Sequence, residues 1–107
     1  MRFLVTSMSR DVIPPEMLLP MIEMMKGWIA EHRGSGKMET VFGFAGQQGG
    51  GAIVDVVSHE ELDEIVGGFP FLPFSEMTVH PLSDLDAALD NAAANIRQML
   101  EMMGGAG

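Results

Sequence analysis

The chain has 107 residues and carries 15 acidic against 6 basic side chains, a net charge of −9, which excludes nucleic acid and anionic membrane surfaces as partners because either would repel it. It has no cysteine, so disulfides, thiolate metal sites and cysteine nucleophiles drop out together, and a reducing, cytoplasmic setting fits. The length predicts one domain with one core; no window reaches membrane-spanning length, and the apolar run near the N-terminus is too short for a signal peptide.

Phe3 to Met8 alternates weakly and predicts a first strand, with Phe3, Val5 and Ser7 on one side and Leu4, Thr6 and Met8 on the other. Pro14-Pro15-Glu16 then opens a helix, since proline is welcome in a first turn and a carboxylate there meets the positive end of the dipole. Met17, Met21, Met24, Met25, Trp28 and His32 share one stripe of it. Pro20 lies near enough to the start to be tolerated, and Gly34-Ser35-Gly36 ends the helix. Eleven methionines are many for a core of this size; gap filling is the commoner use of Met, and a greasy subunit interface is the other.

Met38 to Ala45 reads as a second strand with Met38, Thr40, Phe42 and Phe44 on one face and Glu39, Val41 and Gly43 on the other. Gly46 to Gly51 turns the chain back into Ala52 to Val57, which makes a hairpin. A phosphate cradle would need its glycine loop to run from a strand into a helix, and here both flanks read as strands. Ser58-His59-Glu60-Glu61 is a capping box, with Ser58 as N-cap and Glu61 reaching back. Leu62, Ile65 and Val66 give this short helix an inward face, and Gly67-Gly68 close it, glycine being tolerant of a left-handed stop.

Gly67 to Phe74 is the most aromatic stretch of the chain. Its prolines predict an extended, rigid apolar loop, which covers one end of the core or serves as a pocket wall or subunit contact. Phe74 to Leu82 alternates cleanly, Met77 and Val79 against Glu76, Thr78 and His80. Ser83-Asp84-Leu85-Asp86 opens a last helix whose apolar stripe includes Leu85, Leu89, Ile96, Met99, Leu100 and Met103.

The order is strand, helix, strand, strand, helix, strand, helix. A βαββαβ run with a central hairpin predicts a ferredoxin-like α+β domain over residues 1–82, both helices covering one face of a four-stranded antiparallel sheet. Residues 83–103 add an amphipathic helix that packs on the domain or on a partner subunit, and 104–107 read as a flexible tail. The open sheet face should carry Leu4, Thr6, Met8, Ile53, Asp55, Glu76, Thr78 and His80, with either the Thr40 and Phe42 set or the Glu39 and Val41 set. Such a half-apolar face needs a cover, and a second copy of the sheet is the usual one, so a homodimer or higher homo-oligomer is expected.

Gly36-Lys37 before a strand and Ala45-Gly46, Asp55-Val56-Val57-Ser58-His59-Glu60-Glu61-Leu62, Phe69-Pro70-Phe71-Leu72-Pro73-Phe74 and Val79-His80-Pro81-Leu82 together resemble the muconolactone isomerase family. The resemblance covers roughly residues 36 to 82. It implies a dimeric α+β barrel and a cofactor-free shift of a double bond in an unsaturated lactone. The family's second strand carries basic and indole side chains where this chain has Met38, Glu39, Thr40, Phe42 and Gly43. A carboxylate-bearing lactone wants a cation to receive it, so a neutral, more apolar lactone or polyketide-like ring is the expected substrate.

Such a reaction needs a base that takes a proton beside a carbonyl and returns it one allylic position away. The candidates are Glu76, His80 and Asp55, with Thr6, Thr40 and Thr78 as hydroxyl donors and Phe42, Phe69, Phe71, Phe74 and Trp28 as apolar substrate contacts. Each has a plainer reading. A lone strand histidine is more often a hydrogen-bonded rim residue, Glu76 is solvated at a sheet edge unless a partner buries it, and Asp55 is either ion-paired, with Arg2 or Lys37, or set in a pocket. His32 reads as a core or interface histidine, and the Met-rich stripe with Trp28 as core. No histidine spacing suggests a metal. Two further functions stay open on this reading: a non-catalytic oligomeric binder of small molecules, and a cofactor-free monooxygenase on the same barrel.

Overall fold

A computed structural model describes residues 1–105. The elements run β1 (Arg2–Ser9), α1 (Pro15–Gly34), β2 (Met38–Gly43), β3 (Gly49–Asp55), α2 (His59–Gly67), β4 (Ser75–Leu82) and α3 (Leu85–Gly105). The strands form one sheet in the order β2-β3-β1-β4 with every neighbouring pair antiparallel, which is the ferredoxin-like α+β arrangement expected from the element order. Helix α3 continues through Gly105; of the expected tail, residues 106 and 107 lie outside the described residues.

Three local expectations are corrected. Strand β2 changes register between Met38 and Thr40, a bulge that lets Glu39 and Thr40 stand where one residue is opposed. Met38 therefore packs on the helix side with Val41, while Thr40 and Phe42 share the open face; simple alternation puts Met38 with Thr40. The double glycine after α2 makes no left-handed stop, since Gly68 has φ −86°. The proline-rich loop is not extended throughout, because Leu72–Phe74 winds one 3-10 turn. A proline at the start of a turn loses no bond it needed.

Ser58 caps α2 as expected, its hydroxyl accepting from the Glu61 backbone N–H at 3.1 Å. The Glu61 carboxylate reaches past the cap to the Val57 N–H at 3.4 Å and takes Lys37 Nζ at 2.8 Å. The Lys37 hydrogen bond, helped by its charge, holds the Glu61 carboxyl below its ordinary value.

The strand register lays three rows across the helix-facing side of the sheet. The first is Met38, Val54, Phe3 and Pro81; the second is Val41, Ala52, Val5 and Val79; the third is Gly43, Gly50, Ser7 and Met77. Side-chain volume falls from the first row to the third, and the core follows it. Phe3, Met38 and Val54 are buried together with Val56 and with Leu62 and Ile65 from α2. The third row offers little to pack against. Helix α1, which crosses above it, buries none of its 20 residues.

Candidate functional site

The taper in the sheet leaves a cleft of about 950 Å³ between the sheet and α1. Its floor is Val5, Ser7, Gly50 and Ala52. One wall is the inward stripe of α1, including Leu18, Ile22, Met25 and Trp28, and the other is Phe69, Phe71 and Met77. Glycine at 43 and 50 and serine at 7 make the floor deep, because no large side chain stands on that row.

The mouth is formed where β1 ends. The Arg10 backbone N–H donates to the Phe74 carbonyl at 2.8 Å, and its guanidinium donates to the Pro73 carbonyl at 3.0 Å. Arg10 thus ties the aromatic loop to the end of β1. Its Nε also lies 3.6 Å from Asp11 Oδ2. The titratable side chains lining the cleft are Arg10, Asp11 and Arg33, so among the described residues Asp11 is the one carboxylate or imidazole that borders it. Arg33 sits in the last turn of α1, where a cation is favoured by the dipole.

The residues singled out in the sequence divide between the two sides of the sheet. Trp28, Phe69 and Phe71 wall the cleft, while Thr6 and Phe42, which also border it, belong by register to the open face of the sheet. Trp28 packs against Phe69 at 5.3 Å and against the His32 ring at 5.2 Å; its indole N–H is buried and has no acceptor among the described residues. Phe74 gives the cleft mouth its carbonyl rather than its ring.

Glu76, His80 and Asp55 lie with Thr40 and Thr78 on the opposite face. There Glu76 is paired with Met8, Thr78 with Thr6, and His80 with Leu4. The Thr6 and Thr78 hydroxyls are hydrogen-bonded to each other. Asp55 meets the N-terminal ammonium at 3.4 Å, not Arg2 or Lys37, whose charges go to Glu39 and Glu61. It borders a separate hollow of about 520 Å³ with Arg2 and Glu39. The expected pocket and the expected acids are therefore on different faces.

Asp11 escapes the sequence reading because Ser9-Arg10-Asp11 has the form of a polar stop to a strand. The available signal is its position, since the end of a sheet strand beside a tapering floor is where a mouth opens. No cluster of three His, Asp or Glu side chains is placed to hold a metal among the described residues, and no helix among them is long and apolar enough to cross a membrane.

The muconolactone delta-isomerase family matches residues 1–87. Among solved structures, that of a muconolactone isomerase superposes with a TM-score of 0.66 at 19% identity, covering 78% of this chain and 90% of that one. At that identity the likeness carries the fold alone. No curated protein matches the chain.

Proposed function

Because the chain belongs to the muconolactone delta-isomerase family, we propose that it is a cofactor-independent isomerase that moves a proton and a double bond within a neutral, apolar unsaturated lactone or polyketide-like ring held in the cleft. The observation that carries this reading is the cleft itself, whose walls are aliphatic and aromatic and whose charged groups are confined to its rim. The rim arginines are a poor receptor for an acid. Arg10 is already engaged with Pro73 and Asp11, and Arg33 stands at the far end of α1. A ring without a carboxylate suits the interior better than muconolactone does.

In this mechanism the Asp11 carboxylate takes the proton from the carbon between the carbonyl and the double bond. The electron pair passes into a dienolate, and the protonated acid returns the same proton to the far allylic carbon. The carboxylate is regenerated and no atom is gained or lost. Apolar walls keep water from quenching the dienolate at the wrong carbon.

The test is the conversion of a β,γ-unsaturated butenolide to its conjugated isomer, followed by ultraviolet absorbance. Asp11→Asn should lower the rate by about 10²- to 10⁴-fold, the usual contribution of a positioned base, while leaving the fold intact by circular dichroism. Glu76→Gln, His80→Gln and Asp55→Asn should keep the wild-type rate. A second reading is favoured by one observation, the Thr6 and Thr78 hydroxyl pair flanked on β4 by Glu76 and His80. If those two variants lose turnover and Asp11→Asn does not, the chemistry belongs to the open face, completed there by a second copy. Saturable binding without conversion in any variant would make the protein a binder, and oxygen uptake with a quinol would make it a monooxygenase.

A further inference from the structure

We propose that Ser7 sets which ligand the cleft accepts: its hydroxyl donates a hydrogen bond to the carbonyl oxygen of a neutral ring, so the cleft favours lactones and ring ketones over the same rings without a carbonyl. The inference deepens the reading above. It rests on the cleft as the ligand site and not on the isomerisation.

Ser7 reaches the floor by strand alternation. Phe3, Val5 and Ser7 follow one another on the helix-facing side of β1, and the first two are buried in the core. The third position of that run is a hydroxyl, half-buried on the floor of an otherwise aliphatic and aromatic interior. Its neighbours across the sheet are Gly50 on β3 and Met77 on β4. A glycine brings no side chain, and a thioether is a weak acceptor. Accordingly the Ser7 hydroxyl forms no hydrogen bond among the described residues.

The other polar groups along the cleft are engaged, exposed or closed off. The Thr6 hydroxyl is bonded to Thr78 on the open face. Ser9 donates to the Asp11 carbonyl at 3.2 Å, and the Arg10 guanidinium to the Pro73 carbonyl at 3.0 Å. Ser75 stands opposite Ser9 at the end of β1, and the Gln48 carbonyl accepts the Ser9 N–H at 2.8 Å, so both belong to the mouth. Asp11 and Arg33 are exposed, and water competes for them. The Trp28 indole N–H is unpartnered too, but a Cβ on Gly68 would stand 3.3 Å from its Nε1, which leaves it closed against the chain there. Ser7 is the free donor of the floor.

An apolar ligand entering the cleft strips water from that hydroxyl. If it offers nothing in return, the hydroxyl is left buried and unpaired, which costs more than a hydrogen bond gains. A single polar group in an apolar pocket is for this reason a sharper filter than the shape of the pocket. A carbonyl oxygen satisfies it without bringing a charge, in keeping with a floor of Val5, Ser7, Gly50 and Ala52 that holds no cation. In the isomerisation the same oxygen carries the charge of the dienolate, and a donor resting on it stabilises that charge as it forms.

Phthalide and phthalan make the test specific, since they share one bicyclic frame and one ring oxygen and differ by the carbonyl. Dissociation constants for both are measured on the full-length wild type and on Ser7→Ala by NMR titration, following the indole resonance of Trp28. The expected result is a loss of phthalide affinity in Ser7→Ala of roughly 2- to 12-fold, the worth of one neutral hydrogen bond, with phthalan affinity undiminished. Because the hydroxyl has no partner in the protein, Ser7→Ala should melt at the wild-type temperature. The proposal is overturned by unchanged phthalide affinity in Ser7→Ala, an equal loss for both ligands, a lowered melting temperature, or a wild type that binds neither ligand. The expected pattern in a protein that converts no butenolide would uphold the Ser7 contact and refute the isomerase reading, so the two fail separately.

Discussion

Gly43 and Gly50 face each other across β2 and β3 on the floor of the cleft, and the same substitution should have opposite effects at the two positions. A Cβ at Gly43 meets nothing nearer than the Gly49 carbonyl oxygen at 3.9 Å, which is ordinary contact. A Cβ at Gly50 comes within 2.4 Å of the Phe42 carbonyl oxygen and 3.3 Å of Gly43 Cα, and both are backbone atoms that cannot swing aside. Neither glycine has a positive φ. Gly43→Ala therefore gains the backbone entropy term alone, about 0.5–1 kcal/mol of added stability. Gly50→Ala must force β2 away from β3 and should cost about 1–3 kcal/mol, as overpacking does. At about 4–8 °C per kcal/mol for a domain near this size, thermal melts followed by circular dichroism should separate the two variants by roughly 6–30 °C, with the wild type between them. If both melt on the same side of the wild type, the claim that Gly50 is held by close backbone approach is wrong. Gly43→Leu extends the argument to function. It fills the floor from the side that has room, so it should fold stably while losing affinity for any ligand of the cleft.

Ser58→Ala removes the acceptor for the Glu61 N–H and should cost about 1 kcal/mol, as loss of an N-cap does, read as a lower urea midpoint at unchanged slope. Because the folded carboxyl of Glu61 titrates below its unfolded value, its pairing with Lys37 stabilises the fold above the ordinary glutamate range. That contribution is lost as pH falls through the lower folded value; Glu61→Gln should flatten the acid limb of a melting-temperature profile, and an unchanged limb would show that the pair contributes nothing. Trp28→Phe deletes the buried indole N–H that has no acceptor, a relief of about 1–3 kcal/mol set against lost packing, so its stability should stay much closer to the wild type than that of Trp28→Ala, for which about 3–5 kcal/mol is the usual loss. The sole tryptophan also reports on the cleft, and its emission should shift on addition of a neutral lactone in the wild type and not in Gly43→Leu.

Most of the fold is legible in the sequence because the periodicities agree with one another. Strand β4 alternates without interruption, β1 carries Phe3 and Val5 at period two, and α2 begins at a capping serine. What escapes is decided by contacts far along the chain. A bulge at Glu39 leaves no mark in a local pattern, since it is fixed by the pairing of β2 with β3. The glycine run from Gly49 to Gly51 reads as turn because glycine weakens a strand, yet these residues are strand, held by the ladder to β1 on one side and β2 on the other. Gly68 stops a helix without adopting the conformation that makes glycine special.

The candidate site is half legible for the same reason. Alternation assigns each residue to a face, and it assigns Glu76, His80 and Asp55 correctly to the face opposite Val5 and Val54. It does not say which face holds a cavity. That depends on a row running across four strands, Gly43 to Gly50 to Ser7 to Met77, whose members are far apart in sequence and become neighbours only through register. Once the row is known the rest follows from volume. Small residues on the floor leave α1 with little support at that end, its apolar stripe stays only half-buried, and the gap beneath it opens beside the last polar residues of β1. Asp11 comes to border the cleft through this geometry alone.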